Sequence, residues 1–208
     1  LFGRKPVLLF GISVFLLGSI GAGLAWSMQS LIAFRFIQGF GAGAITPVAM
    51  TIVGDIYTKE ERAKVQGYIS SVWGISAILG PALGGVLIEY VSWSWIFWIN
   101  LPIGLLSAGG LLFFYHEHRK VEKQKIDYRG SLLLTVSLSL LMFLLVDGGT
   151  AFSWLSLTSL LIILSILILL IIFVKQQNKA SEPIMPFTIW NNKSILFANI
   201  TSLTTGVI

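Results

Sequence analysis

The sequence predicts an all-α fold, a polytopic transmembrane helical bundle. Composition, the spacing of apolar runs and the placement of basic residues predict it together. Of 208 residues, 55% are hydrophobic and 11% charged, against about 25% charged in an ordinary soluble domain. The mean hydropathy is +0.86. A water-soluble core of this length could not hide that much apolar surface, so a bilayer is the expected solvent.

About twenty apolar residues cross a bilayer as a helix. The runs 6–26, 29–53, 66–88, 95–115, 131–147 and 154–174 match or approach that length, and 194–208 begins a seventh. Segments 1–5, 55–65, 116–130 and 175–193 carry thirteen of the 14 Lys and Arg, while the connections near 27, 92 and 150 carry none. By the positive-inside rule the basic segments are expected to be cytoplasmic and the others external. The net charge of +5 therefore reports topology, and no nucleic-acid partner is expected. Trp26, Trp93, Trp95, Trp98 and Trp154 fall at the external boundary, as an aromatic belt would.

Glycine divides the chain, with eighteen of 21 at or before Gly130. Small residues let helix backbones approach in lipid, so the first four spans, within 1–115, are expected to form a tight bundle. The glycine-poor stretch 131–174 reads as a peripheral, lipid-facing helix pair. Segment 116–130 is a charged cytoplasmic loop or interfacial helix, 175–193 a cytoplasmic linker, and 194–208 the start of a further bundle. The chain opens on Leu-Phe-Gly-Arg-Lys-Pro without Met and closes in mid-run, so it reads as a fragment.

The absence of cysteine removes disulfides, thiolate metal sites and cysteine nucleophiles. No HExxH, G-x-S-x-G or Walker pattern occurs. Neither an enzyme nor a metal site is expected. His116 and His118 flank Glu117 among Lys and Arg, a poor setting for a cation. Glu89 and Asp147 lie at the outer boundary and read as solvated.

Arg35 is the sharpest single signal, lying in the outer half of the second span. An intramembrane Arg costs at least ~2.5–3.5 kcal/mol and normally faces a cavity or a partner. The alternative is an Arg that snorkels to the interface. Gln38 lies one turn on, with Ala42 and Thr46 along the same stripe. Gly39 and Gly43 form a small-xxx-small pair suited to close helix crossing, read as packing or as ligand contact. In the third span Pro81 removes a hydrogen bond to the Ala77 carbonyl and favours a kink. Gly80 and Gly84 present a bare backbone beside it.

Three separated stretches resemble one family. Leu31-x3-Arg35-x2-Gln38-Gly39-x-Gly41-Ala42-Gly43 is similar to the fourth-helix motif of major facilitator drug:proton antiporters. Gly80-Pro81-x2-Gly84-Gly85 resembles the antiporter motif of their fifth helix, with Ser76 where Gly is frequent. Leu1-Phe2-Gly3-Arg4-Lys5-Pro6-Val7-Leu8 resembles the second half of the motif joining helices two and three, and Asp55 and Arg62 fit the loop after helix four. Asp127-Tyr128-Arg129-Gly130-Ser131, Asp147-Gly148-Gly149 and Glu182-Pro183-Ile184-Met185-Pro186 resemble the fourteen-helix branch.

The resemblance implies family helices three to six in 1–115, an added pair (seven and eight) in 131–174, and the start of helix nine after it. It implies alternating access in the plasma membrane and export of lipophilic, often cationic, compounds against proton entry. Arg35, Gln38 and Gly39 would belong to the coupling route. Gly80, Pro81, Gly84 and Gly85 would form a gating interface, and Gly3, Arg4, Lys5, Asp55 and Arg62 the cytoplasmic loop motif. The implied partners are a small-molecule substrate, protons and the lipid bilayer, with a proton gradient and no cofactor. A transporter of a defined metabolite is the nearest rival; a non-transporting membrane scaffold is more distant.

The charge distribution makes a direct prediction. Cysteine placed singly at Ser27, Ser92 or Thr150 should react with an impermeant thiol reagent on intact cells, and cysteine at Gln124 should not. Labelling at 124 in sealed cells would reject the topology.

Overall fold

A computed structural model describes residues 3–117 and 126–207. The described residues are almost wholly helical. In chain order the helices are α1 (Arg4–Gly23), α2 (Met28–Ile56), α3 (Lys59–Tyr90), α4 (Trp95–Trp98), α5 (Asn100–Phe114), α6 (Tyr128–Asp147), α7 (Leu157–Gln177) and α8 (Lys193–Val207), with a short 3-10 turn at Phe187–Asn191. Six of the described segments are long and apolar enough to cross a membrane, α4 and α5 counting as one. The apolar runs therefore mark the helices well. The loop residues 118–125, including His118 and Gln124, lie outside the described residues.

Local chemistry sets the boundaries. Ser27 and Ser30 form a reciprocal capping box at the start of α2, each hydroxyl accepting the other's backbone N–H, at 3.2 and 3.0 Å. Thr58 and Glu61 do the same for α3. Those bonds from Thr58, backbone first and hydroxyl second, hold the Glu61 carboxyl below the usual carboxylate range. The fourth span runs through Ile99, between α4 and α5, with helical angles (φ −60°, ψ −24°). Pro102, in the first turn of α5, has no N–H for the Trp98 carbonyl four residues back, which weakens continuity there.

Contacts divide the chain into two compact units, Leu1–Glu122 and Lys123–Ile208. In the first, α1 lies at the centre. Leu8, Ile12 and Leu16 of α1 and Ile52 of α2 form its buried core, flanked by Phe15, Ile45, Val48, Ala108, Leu111 and Tyr115. The close crossing of α1 and α2 is made of glycine. A Cβ on Gly41 would lie 2.6 Å from the Gly11 carbonyl oxygen and collide with the Phe15 backbone. One on Gly18 would collide with the backbone of Gln38. On the other flank Gly104 of α5 makes room for Leu16.

Two packing expectations change. Gly39 and Gly43 do not form this crossing: a Cβ on either would meet open space. Each residue advances a helix by about 100°, so Gly41 points roughly opposite its neighbours two positions away. The four first spans also do not form one tight bundle. Helix α3 buries no residue and supplies none to the core, whereas Ala108 and Leu111 of α5 pack against the core that α1 and α2 form. Its Gly74, Gly80, Gly84 and Gly85 would each admit a Cβ without contact.

In the second unit α6 and α7 pair as a hairpin around Leu144, Ile166 and Phe173, with Ser137 and Ser159 buried between them. Gly149 turns the connection with φ 82°, a conformation open to glycine, and a Cβ there would lie 2.7 Å from the Trp154 indole nitrogen.

The crossing predicts an asymmetry in the glycine run of α2. In the full-length protein, Gly41→Ala should lower thermal stability by about 1–3 kcal/mol through overpacking. Gly43→Ala should change it little. Equal losses in a fluorescence-detected melt would refute the assignment of the contact face.

Candidate functional site

The seam of α2 that faces α1 carries one long polar side chain, Gln38. The residue is only 3% exposed and Ser19 opposite it is fully buried. A buried polar group needs a partner, and the pair anchors a continuous chain. Arg35 Nη1 donates to Gln38 Oε1 at 2.7 Å. Gln38 Nε2 donates to Ser19 Oγ at 3.1 Å. Ser19 Oγ donates to the Phe97 carbonyl at 2.9 Å. Asn100 Nδ2, at the start of α5, donates to Ser19 Oγ at 3.0 Å. The guanidinium carbon of Arg35 also lies 5.6 Å from the centre of the Phe97 ring, a cation–π distance.

Three spans thus meet at the Ser19 hydroxyl, and Arg35 joins them through Gln38 and the Phe97 ring. Arg35 itself is exposed in this chain. Its five N–H donors exceed what Gln38 Oε1 accepts, which leaves the group able to hold a further acceptor. Ser19, Phe97 and Asn100 were not singled out from the sequence. The available signal was Asn100, an amide inside an apolar run and two positions before Pro102.

The loop-motif residues gather at the opposite end of this unit. Arg4, in the first turn of α1, forms an ion pair with Asp55, in the last turn of α2. The Arg62 side chain donates to the carbonyls of Tyr57, at 3.0 Å, and Gly54, closing the C-terminal end of α2. Gly3 has φ 79°, and a Cβ there would lie 2.7 Å from the Glu117 carboxylate. That carboxylate accepts the Arg4 and Lys5 backbone N–H groups, at 2.6 and 3.3 Å. It thus satisfies orphan donors of α1 where the helix dipole favours negative charge. In return the Lys5 ammonium donates to the Leu112 and Tyr115 carbonyls, at 2.9 and 2.7 Å, at the C-terminal end of α5. Glu117, read from sequence only as a neighbour of two histidines, is therefore a helix cap.

Gly80, Pro81, Gly84 and Gly85 lie together in the C-terminal half of α3 without side-chain neighbours at their glycines. Gly39 is similarly open.

A second polar cluster closes the base of the α6–α7 hairpin. Asp127 caps α6 by accepting the Gly130 N–H at 2.9 Å and binds Gln177 Nε2 at 2.6 Å and Gln176 Nε2 at 3.4 Å. Gln177 Oε1 accepts the Met185 N–H at 3.0 Å. The Gly130 bond, above all, holds the Asp127 carboxyl below the usual range, with the glutamine amides adding to it against desolvation. A Cβ on Gly130 would collide with both Asp127 and Gln177.

Among the described residues, six membrane-length helical segments and an arginine tied to a buried amide chain define a polytopic α-helical membrane protein. The sequence profile of the Major Facilitator Superfamily matches residues 1–197, and the chain belongs to that superfamily of transporters. It is 40% identical over 206 residues to Multidrug resistance protein 3 of Bacillus subtilis (strain 168), covering 99% of this chain and 40% of that protein. It is 34% identical over 203 residues to Multidrug efflux pump SdrM of Staphylococcus aureus (strain N315), covering 97% of this chain and 44% of that protein. It is 32% identical over 200 residues to Multidrug transporter protein MdtP of Bacillus subtilis (strain 168), covering 96% and 37%. The chain spans about two-fifths of the length of these curated relatives.

Proposed function

We propose that the chain is part of a proton-coupled efflux transporter that exports lipophilic, often cationic, compounds across the plasma membrane by alternating access. The observation that carries this reading is Arg35. Its guanidinium sits in a membrane-length helix, held by the amide of Gln38 on a buried polar chain. Packing alone gives no reason to bear the insertion cost of such a group. The names of the three relatives, each a multidrug protein, support drugs as the cargo, and their lipophilic, often cationic character follows from the family resemblance. Proton coupling follows from the antiporter motif that Arg35, Gln38 and Gly39 resemble.

In this reading Arg35 answers to the protonation of an acidic group elsewhere in the longer protein. The basic connections face the cytoplasm, and α6 and α7 are the added pair of the fourteen-helix branch. The open glycine face of α3 meets another helix in the outside-closed state and leaves it when the transporter opens outward.

Two outcomes follow. Arg35→Ala in the full-length protein should insert normally and lose coupled efflux. Arg35→Lys should retain part of it, because a point charge replaces a planar fork. Undiminished efflux by well-expressed Arg35→Ala would overturn the role.

Gly84→Val places a branched side chain in the bare groove of α3, overpacking the closed-outside state by about 1–3 kcal/mol. A mutation shifts a two-state equilibrium by its differential strain. The variant should fold, favour outward-facing conformations and lose transport, whereas Leu83→Val should do little. Outer-face accessibility of a reporter cysteine, measured with efflux, decides it. Normal transport by Gly84→Val, or equal damage by Leu83→Val, would remove the groove from the gate.

A further inference from the structure

We infer that Ser19 and Asn100 are positioning residues for Arg35, fixing which end of the Gln38 amide faces the guanidinium. The argument is one of hydrogen count. A serine hydroxyl has one proton and two lone pairs. The carbonyl of Phe97 can only accept, so at 2.9 Å it takes the Ser19 proton. Ser19 Oγ is then left as an acceptor towards its two remaining neighbours. Both are side-chain amides, Gln38 at 3.1 Å and Asn100 at 3.0 Å. Each must present its NH2 group. An amide that turns its nitrogen to Ser19 turns its oxygen the other way, and an oxygen is what Arg35 needs, since a guanidinium has no acceptor.

The proton and both lone pairs of Ser19 are thus spoken for, and they order the chain in one direction only: Phe97 carbonyl, Ser19, Gln38, Arg35. Reversing the Gln38 amide would set NH2 against guanidinium and oxygen against a hydroxyl whose proton is already given. Gln38 and Ser19 are both buried, which makes that reversal costly, because neither end of the amide could turn to water instead. Asn100 contributes by occupying the second lone pair of Ser19 from the α4–α5 junction. Its amide reaches the Ile96 carbonyl at 3.5 Å as well. The direction in which Arg35 is held is therefore set from the fourth span, three hydrogen bonds away through Gln38 and Ser19 of α1.

The functional half of this inference rests on the coupling role proposed for Arg35; the geometric half does not. The test separates them. In the full-length protein, phenylglyoxal modification of Arg35 is followed by mass spectrometry of its peptide. Asn100→Leu and Ser19→Cys, the latter nearly isosteric with a poor acceptor, should each speed modification at least threefold. Gln38→Leu should do so as strongly. Adding Asn100→Leu to Gln38→Leu should change nothing further, because Asn100 acts through Gln38. Ser137→Ala, in the second unit, serves as the control and should leave the rate unchanged. In efflux of ethidium, the two positioning variants should lower the maximal rate about tenfold and leave KM unchanged.

An unchanged Arg35 modification rate in both Asn100→Leu and Ser19→Cys overturns the positioning role. So does an Asn100→Leu effect that persists in the Gln38→Leu background. Faster modification with normal ethidium efflux keeps the geometry and defeats the coupling role instead.

Discussion

The close approach of α1 and α2 is the contact on which the rest of the first unit depends. In lipid, apolar side chains gain nothing by leaving one helix for another, so association rests on van der Waals contact and hydrogen bonds. Both require backbones to come near. Gly11, Gly18 and Gly41 supply that nearness by having nothing to put in the way. Once the axes are close, Gln38 can reach Ser19, and Ser19 can reach the carbonyl of Phe97 on a third span. The same proximity brings Arg4 to Asp55 at the far end of the helices. The bare contact comes first, and the polar chain is what it permits.

What could be read from the sequence follows from what hydropathy measures. Membrane-length helices are long averages, and apolar runs marked most of them to within a few residues: 29–53 became Met28–Ile56 and 154–174 became Leu157–Gln177, whereas 66–88 became Lys59–Tyr90, because the charged first turns of α3 are helical too. The seam between helices is a matter of angle instead. Gly39, Gly41 and Gly43 are alternate residues, so they occupy opposite sides of α2, and choosing the side required knowing where α1 lies. The familiar spacing of four favoured Gly39 and Gly43, while the structure uses Gly41.

Polar groups were legible in proportion to their cost. Arg35 stood out because a charge in an apolar run demands a reason. Gln38 followed from its place one turn away. Ser19 did not stand out, since a serine hydroxyl in a helix commonly bonds its own backbone, as Ser13 does to the Leu9 carbonyl at 2.8 Å. Only the fold reveals that Ser19 bonds across helices. Glu117 was obscured by the histidine beside it, and its capping role depends on a residue 113 positions earlier in the chain.

The reciprocal caps of α1 and α5 have a further consequence. Glu117, just beyond α5, binds the start of α1, while Lys5, in the first turn of α1, binds the end of α5. Two attachments join the same pair of helix ends, so they act as a bivalent clasp. When one opens, the other keeps the separated groups at high local concentration, and rejoining is faster than parting. A single attachment of the same strength would let the ends drift away. The clasp is durable because it can come undone by halves.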